Sequence, residues 1–93
     1  MKTKIDTATR SIIDAAVRAH SGGLKVKSID IRPTFDDDEF EGLEIDVYYA
    51  APEQVLEWRE RMRMETAIGD ALFEVGDRRI PYVEHHFAQD KVT

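Results

Sequence analysis

The residues best equipped for chemistry in this 93-residue chain lie near its end, where Glu84-His85-His86 is followed by Asp90. Imidazole is the usual side-chain ligand for zinc-like ions and a glutamate sits beside the pair, so His85 and His86 are candidate metal ligands. The surrounding run, Ile80-Pro81-Tyr82-Val83-Glu84-His85-His86-Phe87, is rich in strand formers. Adjacent strand residues point to opposite faces, so the two histidines are not expected to chelate one ion together. If Val83 and Phe87 face a core, His85 shares their side at its rim, and Glu84 and His86 share the other side with Tyr82. His20, at the end of the first helix, suits the negative end of the helix dipole.

A second cluster, Asp36, Asp37, Asp38, Glu39 and Glu41, invites a cation. A calcium loop needs acids at alternating positions around a glycine and a closing glutamate twelve residues from the first ligand. That spacing is absent. Pro33 is expected to stop one strand, Leu43 to start the next, and Gly42 to supply the turn residue between them, which makes the acids a solvated connection. Ser11, Ser21 and Ser28 lie in no nucleophile-elbow context. Gly22-Gly23 follows a helix, where it caps, rather than preceding one, where it would cradle phosphate. Arg59 and Arg63 share a helix face and Arg61 points nearly opposite, so they form no basic stripe, and Glu57 and Glu60 are placed to pair with them. Arg78-Arg79 after Asp77 reads as a solvated turn.

Five elements must position these groups. Ile5, Ile12, Ile13, Ala16 and Val17 recur at helical spacing, with Asp6 or Thr7 as cap and Ser21-Gly22-Gly23 as terminator. Leu24 and Val26, then Ile29 and Ile31, alternate as on a strand, but the step from Val26 to Ile29 is three, which calls for a bulge near Lys27 or Ser28. Leu43, Ile45, Val47 and Tyr49 alternate with Glu44, Asp46 and Tyr48 on a second strand. Pro52 suits a helix start, and the segment from Glu53 to Val75 reads as one long helix ending at Gly76. On it Trp58, Met62, Glu65, Gly69 and Leu72 form one stripe, and Met64, Ile68, Ala71 and Val75 a neighbouring one. Residues 80–87 make the third strand. The order αββαβ predicts an α+β domain spanning residues 1–93, a three-stranded sheet with two helices packed on one face and a right-handed crossover through the long helix.

Such an arrangement leaves the second sheet face and at least one edge uncovered. A domain of this size buries only about 60 to 65 % of the surface of its unfolded chain and often gains stability by pairing. A homodimer is therefore expected, through Tyr48 and Tyr82 on the uncovered face or through Leu56 and Trp58 on the long helix. The chain has no cysteine, which excludes disulfides and thiolate chemistry and fits a reducing compartment. MKTKIDTATR lacks the apolar core of a secretory signal and no stretch reaches the length of a membrane span, so a cytoplasmic protein without membrane contact is expected. The net charge of −6 disfavours nucleic acid, whose phosphates need an excess of lysine and arginine.

With VKSIDIRP, LEIDVYY and YVEHHFAQD as its strands, the chain resembles the cytoplasmic dimerisation domain of cation-efflux transporters, which is also αββαβ. The likeness implies a fold and a dimer. The histidine that family carries early in the second helix has no counterpart between Glu53 and Val75, which leaves His85 or His86 with Asp90 as the remnant of a metal site. The tail GDRRIPYVEHHF preceded by LEIDVYY is also similar to small, uncharacterised bacterial αββαβ proteins, some of which accompany toxin-like partners; that likeness implies an antitoxin or accessory role. The expected function is a non-catalytic, cofactor-free protein-binding or regulatory domain acting on a second copy of itself or on a protein partner. The alternative is a small metal-dependent or acid–base enzyme using His85, His86 and the acids nearby.

Overall fold

The alternation on the second strand organises the molecule. In the computed structural model, which describes residues 5–35, 41–50 and 56–87, Leu43, Ile45, Val47 and Tyr49 are all buried at 1 % exposure or less, and they face two helices across one core. The elements are α1 (Thr7–Ala19), β1 (Val26–Phe35), β2 (Glu41–Tyr49), α2 (Trp58–Glu74) and β3 (Ile80–Phe87). The sheet order is β1-β2-β3, with β1 antiparallel and β3 parallel to β2. The α+β architecture and the packing of both helices against the sheet are those expected from the pattern. No helix among the described residues is long and apolar enough to cross a membrane.

Each boundary has a local cause. Asp6 caps α1, its carboxylate accepting the Thr9 amide at 2.8 Å. Helix α1 then buries Ile13 and Val17. The bulge expected near Lys27 is present: Val26 pairs with Tyr49 but Ser28 pairs with Tyr48, so β1 spends one extra residue and both Val26 and Ile29 lie on the core side. Helix α2 turns Met64, Ile68 and Leu72 inward, one turn apart. It ends in a Schellman motif: Gly76 has φ +79°, its amide reaches the Phe73 carbonyl at 3.0 Å, and the Asp77 amide reaches the Leu72 carbonyl at 2.9 Å.

Four local expectations are corrected. Pro33 does not stop β1, which continues to Phe35 with Pro33 opposite Leu43; β1 is an edge strand, where a missing amide hydrogen is tolerated. Gly42 lies inside β2 rather than in a turn, because a β-carbon there would stand 2.7 Å from the Tyr82 ring and 3.2 Å from the Ile80 carbonyl oxygen. Helix α2 begins at Trp58 with Glu57 as its N-cap; Pro52 and Glu53 lie outside the described residues. Asp36–Glu39 also lie outside them, while Glu41 opens β2.

The fourth correction concerns Asp77-Arg78-Arg79, which is no solvated turn. Arg79 and Asp77 have side chains only 2 % and 1 % exposed and are joined at 2.6 Å. The Asp77 carboxylate also accepts the Arg79 amide and Nε, closing the link between α2 and β3 on itself. Hydrogen bonding to Asp77, reinforced by the charges of Glu41 and Asp6, holds the guanidinium above its already high pKa against the effect of burial. A charge this deeply buried is tolerable only with its counter-charge bonded to it.

Two substitutions test these packing arguments by urea unfolding. Gly42→Ala is expected to destabilise the fold by about 1 to 3 kcal/mol, and adding Tyr82→Ala should recover part of that loss, since the ring is the nearest obstacle and the Ile80 carbonyl stays. Arg79→Met should cost about 3 to 5 kcal/mol, because it removes the counter-charge bonded to the buried Asp77 carboxylate; an equal loss on replacing the exposed Arg78 would refute that cause.

Candidate functional site

The parallel register of β3 on β2 decides which functional groups meet. It sets Asp46 beside Glu84, Val47 beside His85 and Tyr48 beside His86. The strand alternation then sends the two histidines to opposite sides of the sheet, as their adjacency requires.

On the helix side, His85 Nδ1 lies 2.7 Å from the Tyr49 hydroxyl, and the two rings stack with centroids 5.7 Å apart. Phe87 also stacks on the Tyr49 ring, with centroids 4.9 Å apart. Burial, aided by the positive charge of Arg61 and by His86, lowers the His85 pKa to about 4. Burial raises the Tyr49 phenol to about 12 despite an opposing contribution from Arg61. Both groups are therefore neutral near pH 7, and a single hydrogen lies between them. Arg61 itself donates to the Leu56 carbonyl at 3.1 Å, which fastens the chain entering α2 to its first turn. Trp58, Met62 and Val83 complete a shallow concavity over His85.

On the open side, the sheet carries a polar ladder rather than an apolar face. Arg32 on β1 bonds Glu44 and, at 2.9 Å, Asp46 Oδ2 on β2. Asp46 Oδ1 in turn accepts from His86 Nε2 at 2.8 Å. The His86 ring stacks on Tyr48 at 4.7 Å, nearly parallel, and its Nε2 lies 4.0 Å from Glu84 Oε1. Asp46, Glu84 and His86 form the one group of three or more ligating side chains among the described residues whose donor atoms are close enough to share an ion, all within 4.8 Å.

The expected site residues fall as follows. His86 belongs to this open-side group and His85 does not; Asp90 lies outside the described residues. Tyr48 is half-buried under His86, Tyr82 is 46 % exposed on β3, and Trp58 is 68 % exposed on α2. Leu56, by contrast, is in the core at 5 % exposure. Sequence reasoning missed Asp46 as a functional residue. Its alternation puts it on the open side, but only the register reveals that a histidine arrives beside it from 40 residues away, with a second carboxylate from the same strand.

No family model, curated protein or solved structure matches the chain, so function rests on the groups themselves.

The Tyr49–His85 pair makes stability depend on pH. In the unfolded chain the imidazole takes up a proton near 6.5, in the fold only near 4. Between those values the unfolded state holds more protons, so this contribution is complete above pH 6.5 and is lost as the pH falls toward 4. For this half-buried ring the loss is on the order of 2 to 3 kcal/mol. Unfolding midpoints measured across this range should fall less steeply in His85→Gln than in the parent protein; parallel slopes would contradict the assignment.

Proposed function

We propose that this chain is a non-catalytic protein-binding domain whose first partner is a second copy of itself. The observation that carries this reading is an apolar strip beside an unpaired strand edge. Trp58 and Met62 stand 68 % and 54 % exposed on α2, immediately over Val83 and His85 of β3. Strand β3 is the last in the sheet, and among the described residues no strand lies against its outer side. Tryptophan, methionine and arginine are the residues enriched at interface cores, and here Trp58, Met62 and Arg61 occur together. Two copies meeting about a twofold axis would pair Tyr82–Phe87 edge to edge, below the break that Pro81 makes in the donor row, and bring their Trp58 and Met62 side chains into contact.

The open sheet face suits self-association less well. Asp30, Glu44, Asp46 and Glu84 outnumber Arg32 and Lys27, the latter lying with Tyr48 and His86, so two such faces would meet with like charge. The pairing surface is therefore placed on the α2 and β3 side, with Tyr82 at its margin and Tyr48 outside it. A non-catalytic role is supported by the placement of the two histidines on opposite faces of the sheet, which leaves them no shared position for a substrate. A cytoplasmic setting belongs to the same reading and draws on the cysteine-free composition.

Light scattering should give a mass near twice the 10.7 kDa of one chain. Trp58→Glu combined with Met62→Glu should halve that mass without changing the far-ultraviolet circular dichroism, since both side chains are exposed in the single chain. A parent protein that stays monomeric at high concentration overturns the reading, as does a dimer indifferent to both substitutions.

A further inference from the structure

We infer that Asp46, Glu84 and His86 form a binding site for a zinc-class divalent cation on the open face of the sheet. All three ligands come from one chain and project from the open sheet face, so the site does not depend on self-association, which joins the outer edge of β3 and the α2 side.

The donor set is one imidazole and two carboxylates, ligand types that zinc accepts, and three protein ligands leave a fourth position for water. Its dimensions fit. Ligands at about 2.1 Å from a tetrahedral ion stand about 3.4 Å from one another. Two of the three separations bracket that value, 2.8 Å from His86 Nε2 to Asp46 Oδ1 and 4.0 Å from the same nitrogen to Glu84 Oε1, and all three donor atoms lie within 4.8 Å of one another. A cation entering between the three would replace the single shared hydrogen of the His86–Asp46 contact, spread those two atoms slightly and draw Glu84 in. Glu84 is free to make that move, its side chain being 68 % exposed on an edge strand.

The other two ligands are already held. Asp46 is only 7 % exposed, and Arg32 engages its Oδ2, which leaves Oδ1 aimed at His86. Bonding of a ligand carboxylate through its second oxygen is the usual way a metal site fixes its geometry. The stacked Tyr48 ring fixes the imidazole plane. His86 is 39 % exposed, so an ion can reach the site from solvent and retain water there. With Glu44 alongside, three carboxylates face one guanidinium, a local balance that favours a cation even though Arg32 is near.

An imidazole nitrogen selects for zinc, cobalt or nickel over magnesium and calcium, which prefer oxygen alone. The full chain, freed of metal by chelator, is titrated calorimetrically with zinc, and with cobalt as a visible-absorption reporter. One ion per chain is expected, with a raised melting temperature and cobalt bands in the intensity range of a four- or five-coordinate site. Glu84→Gln and His86→Asn are each expected to weaken binding by at least about tenfold, while the metal-free melting temperature of Glu84→Gln stays at the parental value because that side chain is exposed. His20→Asn, on α1, should bind as the parent does. The inference is overturned if zinc binds no tighter than about 1 mM, if magnesium raises the melting temperature equally, or if binding survives His86→Asn. Dimerisation is read separately by mass, so loss of one property leaves the other standing.

Discussion

The two-residue alternation of β2 is the constraint on which the rest depends. As the central strand it carries Leu43, Ile45, Val47 and Tyr49 into the core and Glu44, Asp46 and Tyr48 out of it. A slip of one residue would exchange those sets, burying two carboxylates and exposing four large apolar side chains. Burying four such side chains contributes on the order of 6 to 12 kcal/mol, comparable with the whole stability of a small domain. The register is thus fixed by the core, and the polar groups on the far side inherit their positions from it.

Both functional arrangements follow from that inheritance. Because β3 lies parallel to β2 in fixed register, His85 must meet the core-side Tyr49 and His86 must meet the outward Asp46. Identical side chains one residue apart acquire opposite environments. One imidazole is pressed against the Tyr49 ring beside Arg61 and kept neutral; the other lies in a ladder of charges open to water. The Asp77–Arg79 pair secures the start of β3, so the connection that delivers both histidines is anchored by a buried ion pair as well as by apolar packing.

What was legible beforehand was whatever depends on local period or local backbone chemistry. The three-residue step from Val26 to Ile29 located the bulge, Asp6 and Gly76 marked helix ends, and the alternation on β2 named its buried residues. What was not legible depends on neighbours distant in sequence. Gly42 reads as a turn residue because nothing local reveals that the Tyr82 ring and the Ile80 carbonyl crowd it. Pro33 looked like a stop because an edge strand cannot be told from a central one before the sheet is assembled. Arg79 looked solvated because charged residues usually are, and only a partner two residues away in the right conformation reverses that expectation. Of the candidate site, His86 was visible as a type and Asp46 was not, since the pairing of strands supplies the link between them.

Pro33 and the displaced Lys27 lie on the sheet edge opposite β3. A strand lacking one amide donor and kinked by an extra residue is a poor template for further chains. Any sheet extended across β3 therefore ends at β1 on both sides, so growth stops at a finite, closed particle instead of running on into a fibre.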